Sequence, residues 1–442
     1  MREVKLPVRR VPLGEVLWRL ESAKSQDTDW KSGRMFSLIY NAGEEIKEVA
    51  RQAFSMFFME NGLSPFAFPS LKKLETEVIA MTASLLGGDA ETVGSFTCGG
   101  TESIFMAVKT ARDWARVQRP AVTAPELVKP ATAHPAFNKS AHYLGLKVIN
   151  VPVGSDFRAD VKAMADAVTE NTVMMVGSAM TYPHGMVDPI EELGQMAARR
   201  GIWLHVDSCL GGFILPFVRK LGYYVPAFDF SVPGVVSMSA DLHKYGFAAK
   251  GASTVLYRNS DYRQYQYFAY ADFPGGVYAT STLTGARPGG PIAAAWAVMN
   301  YLGEEGYLEL ARTAMTTTRK LINGVNAIPK LKVLGKPHAT VFAIASDEIN
   351  VYALSDALKQ RGWLVEKQHL PASLHITVSP FHAHLADEFL RDLAACVKQV
   401  ETLDAASLSE EAVMYGMMAS LPDRSAACDF AVQYLNQLYR TE

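Results

Sequence analysis

The sequence predicts an α/β protein: a large domain built on a mainly parallel sheet, followed by a smaller α+β domain at the C-terminal end. Two patterns carry this reading. Between about Leu71 and Tyr257, helical periodicity alternates with short β-rich runs, the spacing of βαβ units whose sheet is covered on both faces. Beyond Gly303 short strands and helices mix without that alternation. Length agrees, because 442 residues exceed what one small core serves.

In chain order, Thr101–Arg119 reads as a helix with Ile104, Val108, Ala111 and Ala115 on one face. Helical Ala136–Leu144 precedes a β-rich run at Lys147–Val153. Thr172–Gly177 and Ile202–Val206 read as strands around a helix at Pro189–Arg200, and Val235–Ser239 and Ser253–Tyr257 complete the set. Pro291–Leu302 reads as a helix that opens on a proline and stops at Gly303. Helical Tyr307–Leu321 then leads to strands near Lys332–Leu334, Thr340–Ala345 and Ser373–Val378, with helices at Ser355–Arg361 and Ala386–Leu403. The expected division is an N-terminal segment 1–70, a large domain 71–305 and a small domain 306–442.

Net charge is −2 with both signs scattered, which argues against a nucleic-acid partner, since that needs a concentrated basic face. Cys98, Cys209, Cys396 and Cys428 have no metal-ligand spacing and read as reduced thiols of a cytoplasmic protein. The stretch Met1–Arg10 has charge but no apolar run behind it, so no secretory signal is expected. No apolar run reaches the roughly 18 residues of a spanning helix, so no membrane-spanning segment is expected either.

Chemistry concentrates in three segments. Ser239-Ala240-Asp241-Leu242-His243-Lys244-Tyr245-Gly246 follows a predicted strand, which puts Lys244 at the edge where parallel sheets bind ligands. Desolvation there weakens the amine's preference for its charged form and favours imine chemistry. A lone lysine would more simply be a surface loop residue; His243 and the upstream segments shift the balance. Trp203-Leu204-His205-Val206-Asp207 ends a buried strand in a carboxylate, which needs a partner. A protonated pyridine nitrogen is one candidate, and a turn capped by Asp207 is the other. In Thr97-Cys98-Gly99-Gly100-Thr101-Glu102-Ser103, glycines allow close backbone approach at a helix start whose N–H groups and dipole favour a phosphate. Thr101 adds a hydroxyl, although Gly-Gly-Thr also makes an ordinary helix cap. Amine, carboxylate and phosphate cradle together describe a site for pyridoxal 5′-phosphate (PLP). His134 precedes a helix and can stack on an aromatic ring, and Tyr182 can reach the same crevice; packing is the plainer reading of each taken alone. The other histidines, including His375, His382 and His384, lack a metal pattern and read as structural, so no metal is expected.

These segments, in order, resemble the sphingosine-1-phosphate lyase branch of the PLP-dependent group II decarboxylases. The likeness runs from about Tyr40 to the C-terminus. It is carried by Phe68-Pro69-Ser70-Leu71-Lys72-Lys73-Leu74-Glu75, Gly99-Gly100-Thr101-Glu102-Ser103 and Pro183-His184-Gly185-Met186-Val187-Asp188-Pro189. It continues through Asp207-Ser208-Cys209-Leu210-Gly211-Gly212-Phe213, His243-Lys244-Tyr245-Gly246 to Lys250-Gly251, Gly285-Ala286-Arg287-Pro288-Gly289-Gly290 and Tyr415-Gly416-Met417. The resemblance implies a fold-type-I PLP enzyme, a homodimer with sites built at the subunit interface. It implies that Lys244 carries the cofactor, Asp207 pairs with its pyridine nitrogen and His134 stacks on its ring. Gly99, Gly100, Thr101 and His243 would bind its phosphate. Tyr40, expected from the partner subunit, and Lys250 would contact a substrate phosphate. The departures are Ser64 where the family has histidine near that phosphate, Cys98 where serine is common, and Ala286 within the usual Gly-Ser-Arg.

The expected reaction is retro-aldol cleavage of a phosphorylated long-chain 2-amino-3-hydroxy base, with Lys244, Tyr182 or a phosphate oxygen as the base. The aromatic runs Phe54–Phe58 and Tyr265–Tyr270 are candidates for an aldehyde channel, with ordinary core the alternative. An amino-acid decarboxylase on the same scaffold is the second reading, and a non-catalytic PLP-binding protein the third.

Overall fold

The structure, a computed structural model, describes residues 5–402, 408–420 and 424–440. The central sheet holds β1 (Val93–Thr97), β2 (Glu126–Pro130), β3 (Lys147–Val151), β4 (Thr172–Ser178), β5 (Trp203–Asp207), β6 (Val235–Ala240) and β7 (Ser253–Tyr257). Their order across the sheet is β1-β7-β6-β5-β4-β2-β3. β7 runs against its neighbours β1 and β6, while β6, β5, β4, β2 and β3 pair in parallel. Every residue of β4, β5 and β6 is buried, as a sheet covered on both faces requires. One face packs Ile104, Ala111 and Phe137 from the helices Gly100–Gln118 and Ala136–Leu144; the other packs Ile190 and Leu193 from Ile190–Arg200. The α/β class expected from the sequence is the one observed, and most element ends shift by only a residue or two.

A two-stranded hairpin, β8 (Phe268–Tyr270) with β9 (Tyr278–Thr280), stands apart from that sheet. The second large sheet is antiparallel, in the order β10 (Lys332–Val333), β11 (Val341–Ala345), β13 (Ala372–Thr377) and β12 (Glu366–His369). Its core of Phe342, Leu354, Trp363, Phe389 and Leu393 is separate from the central one and is closed by the helices Val351–Gln360 and Ala386–Val400. That last helix ends at Val400, and Glu401 and Thr402 form a turn; the expected end at Leu403 lies outside the described residues, as do residues 1–4 of the expected N-terminal segment.

Between the two sheets the sequence predicts a helix that stops at Gly303. The structure bears this out: the helical stretch Gly289–Ala327 is two helices that meet at a kink, where Gly303 adopts the non-helical φ 53° and ψ −170°. Glycine tolerates that positive φ at no Cβ cost, so the chain bends and the helix resumes.

The strip from Arg34 to Tyr40 crosses the second sheet before it reaches the first. Leu364 N–H donates to Arg34 O at 2.8 Å, Phe36 N–H to Leu364 O at 3.1 Å, and Thr377 N–H to Phe36 O at 2.8 Å. Phe36 is buried against Trp363, His382 and Phe389, which fixes where the strip delivers Leu38 and Tyr40. No helix among the described residues is long and apolar enough to cross a membrane.

Gly185 locks the loop after β4 onto the second sheet. It has φ 69°, and a Cβ there would lie 1.9 Å from Val341 O. Gly185→Ala is therefore expected to destabilise the fold by roughly 2–4 kcal/mol through backbone strain and displacement. Thermal or denaturant unfolding of the variant checks this.

Candidate active site

The carboxyl ends of parallel strands are where an α/β sheet opens a crevice. Here Ser178 ends β4, Asp207 ends β5, and Asp241 to Lys244 follow β6. They border a cavity of about 490 Å³ whose wall also includes Tyr40, Gly99, Gly100, Thr101, His134, Tyr182, His243 and Lys250. Every site residue expected from the sequence thus faces one space. No group of three or more His, Cys, Asp or Glu with metal-binding geometry occurs among the described residues.

Lys244 Nζ lies 2.9 Å from Asp241 Oδ2, and Asp241 is 1% exposed. His243 Nε2 is 3.5 Å from the same oxygen, and the Ser253 hydroxyl donates to Oδ1. Burial alone pushes the Lys244 amine down, but the adjacent carboxylate outweighs it and holds the pKa well above its ordinary value. This corrects the expectation of a lysine with weakened charge: desolvation is present, and the ion pair wins. Asp241 answers in kind; burial raises its pKa, but Lys244 and His243 bring it below the usual carboxylate range.

Asp207 is 7% exposed and has no ion pair with a basic side chain among the described residues. Cys209 N–H at 3.1 Å and the Ser239 hydroxyl at 3.2 Å both donate to Oδ1. The turn cap considered from sequence is thus real, and it occupies one oxygen only. A buried carboxylate on a cavity wall, without a cationic partner, suits a protonated ring nitrogen.

The helix Gly100–Gln118 begins at the cavity, and its entry turn is held by Glu102. Its Oε2 accepts from Cys98 N–H at 2.6 Å and its Oε1 from Leu283 N–H at 3.2 Å. At Gly100 a Cβ would meet Asp241 Oδ2 at 2.8 Å and Cys209 Sγ at 2.9 Å, so only glycine lets the backbone sit this close to the lysine motif. His134 has its pKa lowered by desolvation first, so its imidazole is neutral at pH 7. Burial pushes Tyr40 up to about 12 and raises Tyr182 well above its ordinary value.

Tyr40 lies beside Lys250 of the same chain, whose Nζ is 5.4 Å from the Tyr40 ring centroid and donates to Leu38 O at 2.8 Å. This corrects the expectation that Tyr40 comes from a partner subunit: the strip anchored by Phe36 carries it there directly. Ser64 is elsewhere, in a separate groove of about 730 Å³ shared with Phe68, Tyr267, Phe268 and Arg287. Tyr267 and Phe268, channel candidates from sequence, open onto that groove instead of the Lys244 cavity, and none of Phe54–Phe58 lines the cavity. Sequence reasoning missed Asp241 and Glu102, although both stand inside the quoted motifs; an acid three residues before Lys244 was the available signal.

The family model for the pyridoxal-dependent decarboxylase conserved domain matches residues 21–344. The chain belongs to this decarboxylase family. Within the family it falls in the sphingosine-1-phosphate lyase branch. It is 43% identical to the sphingosine-1-phosphate lyase of Arabidopsis thaliana over 442 residues, covering 98% of this chain and 81% of that one. It is 40% identical to sphingosine-1-phosphate lyase 1 of Rattus norvegicus over 440 residues, covering 99% and 77%. The solved sphingosine-1-phosphate lyase of Burkholderia pseudomallei superposes with a TM-score of 0.90 at 38% identity, covering 99% of this chain and 97% of that one. A Lactobacillus brevis glutamate decarboxylase, at 20% identity and a TM-score of 0.80 over 91% and 96% of the chains, shares the fold. Pyridoxal phosphate is the family's cofactor, and the cavity fits it: an amine, an unpaired carboxylate and a glycine-lined helix start border one space.

If Asp241 sets the charge of Lys244, Asp241→Asn should move the amine's titration to lower pH. In cofactor-free enzyme, the pH midpoint for developing the yellow absorbance on adding PLP should fall; an unchanged midpoint would contradict the ion-pair account. Lys244→Ala should abolish the borohydride-reducible chromophore, read by absorbance and peptide mass.

Proposed function

We propose that this chain is a PLP-dependent aldehyde-lyase. It cleaves the Cα–Cβ bond of a phosphorylated long-chain 2-amino-3-hydroxy base, such as sphingosine 1-phosphate, to phosphoethanolamine and a long-chain aldehyde. The observation that carries this reading is the shared cavity in which Tyr40 and Lys250 stand with Lys244 and Asp207. Likeness to sphingosine-1-phosphate lyases over nearly the whole chain supports the substrate class.

When bound, PLP supplies an electron sink for the pair released as the bond breaks. Lys244 is the amine that would anchor it, and Asp207 would hold the proton on the pyridine nitrogen. The neutral His134 ring would lie on the cofactor ring. The helix start at Gly99, Gly100 and Thr101, with His243, would take its phosphate through N–H groups and the helix dipole. Tyr40 and Lys250 would bind the substrate phosphate. Desolvation and the nearby Lys244 charge lower the Lys250 pKa, and an arriving anion offsets both effects. The base for the C3 hydroxyl proton is drawn from Lys244 Nζ, Tyr182 Oη and a phosphate oxygen. Burial keeps the Tyr182 phenol protonated at neutral pH, so it meets that hydroxyl first as a hydrogen-bond donor.

The working unit in this reading is a homodimer. The groove with Ser64 and Arg287 is flanked by large apolar side chains open to solvent, among them Phe66 at 95% and Phe268 at 55% exposure. A second copy would cover such a surface and could bring Ser64 toward the neighbouring cavity. The described thiols are free, which accords with a cytoplasmic location.

Incubation with sphingosine 1-phosphate should release aldehyde and phosphoethanolamine, while a panel of amino acids should release no carbon dioxide. Carbon dioxide without aldehyde would replace this reading with a decarboxylase. Lys250→Ala should raise KM for the phosphorylated substrate by roughly 10- to 100-fold, as loss of a charge-assisted hydrogen bond does. Steady-state kinetics measures it.

A further inference from the structure

His375 and Thr377 stand behind the cavity wall on β13, a strand of the second sheet rather than the first. Both are buried, and two residues apart on a strand they share one face. The His375 ring lies on the Tyr182 ring, centroids 4.0 Å apart and planes within 16°. His375 Nε2 is 2.7 Å from Thr377 Oγ1. The Thr377 side chain stands next to the Tyr40 phenol, whose burial-raised pKa it lowers, and Thr377 N–H holds Phe36 O in the strip that delivers Tyr40. Tyr182 and Tyr40 both line the Lys244 cavity. One strand end therefore backs two cavity tyrosines, the first by ring contact and the second by the neighbouring Thr377 side chain and the backbone bond to its strip.

The chemistry suits positioning. Burial pushes the His375 imidazole down to about 3, so the ring is neutral at any pH at which the enzyme would work. A neutral ring can back a phenol without bringing a charge that must be desolvated. The Thr377 hydroxyl bonds His375 in low-dielectric surroundings and stands beside the Tyr40 phenol, so one side chain touches on both tyrosines' supports. Tyr182 is still 36% exposed, and its ring would gain freedom if the wall at 375 were removed. Lys250 closes the far side of Tyr40 through its bond to Leu38 O, and Leu38 is itself held at φ 63°. A branched residue at Leu38's positive φ is unusual and is maintained by its surroundings.

We propose that His375 and Thr377 are positioning residues for the cleavage: through them β13 holds Tyr182 at the reacting end of the substrate and Tyr40 at its phosphate end. The inference rests on the lyase reading above, which assigns those two ends.

Four variants of the holoenzyme test it: Thr377→Val, Thr377→Ser, His375→Ala and His375→Phe. Thr377→Val should raise KM for sphingosine 1-phosphate about tenfold with kcat within about twofold, and Thr377→Ser should restore KM. His375→Ala should lower kcat about tenfold with KM little changed, and His375→Phe, which keeps the ring wall, should recover most of it. Crystal structures of the variants supply a readout apart from turnover: the Tyr40 phenol should shift in Thr377→Val and the Tyr182 ring in His375→Ala. Uniform loss of kcat in all four, with lowered Tm and both tyrosines in place, would reduce β13 to ordinary support and overturn the proposal. If the wild-type enzyme fails to cleave sphingosine 1-phosphate, the lyase reading falls. The tyrosine positions in the variant structures then still decide whether β13 holds them.

Discussion

The ion pair of Lys244 with Asp241 sets the charge of the cavity on which everything else depends. A carboxylate 1% exposed at the end of a parallel sheet is costly to ionise unless it is paired and hydrogen-bonded, and Lys244, His243 and Ser253 meet both needs. Leaving one partner of such a pair uncompensated costs roughly 3–5 kcal/mol, so the lysine is held as firmly as it is charged. Asp207 is the contrast. It is nearly as buried, yet among the described residues its side chain is met only by Cys209 N–H and the Ser239 hydroxyl, both on Oδ1. Two carboxylates one strand apart are thus given different surroundings, one paired internally and one without a cationic partner among the described residues.

Around that pair the molecule is organised by convergence of two sheets. The parallel sheet brings Ser178, Asp207 and Lys244 to one edge because its strands run the same way. The antiparallel sheet reaches the same edge from behind, through β13 and through the Arg34–Tyr40 strip hydrogen-bonded to it. Gly185, pressed against Val341 O, fastens the loop carrying Tyr182 between them. The residues proposed for the cofactor are therefore placed mainly by the first sheet, while those proposed for the substrate's phosphate and hydroxyl depend on both.

Much of this was legible in the residues. Apolar runs such as Thr172–Gly177 and Ile202–Val206 identify buried parallel strands, because only strands covered on both faces lose their alternation. Lys244 and Asp207 could be singled out because each closes such a run, and Gly99-Gly100-Thr101 because it opens a periodic helix. What was not legible lay across the fold. The direction of the Lys244 shift turns on a competition between burial and Asp241 that residue type does not rank. His375 read as structural because a metal pattern was the only role that spacing could suggest; its contact with Tyr182 spans two sheets. The aromatic run Tyr265–Tyr270 looked like a channel, and the fold gives Tyr267 and Phe268 to a different groove.

By itself the sequence determined the class of fold and the cofactor, and it singled out the lysine and carboxylate proposed to hold it, because these follow from local periodicity and from residues at strand ends. Tertiary structure alone decided which charges oppose or support one another and which chain segment brings Tyr40 to Lys250. Electrostatic and ring contacts depend on distances of a few ångströms between residues far apart in the chain, and those distances exist only once both sheets are packed.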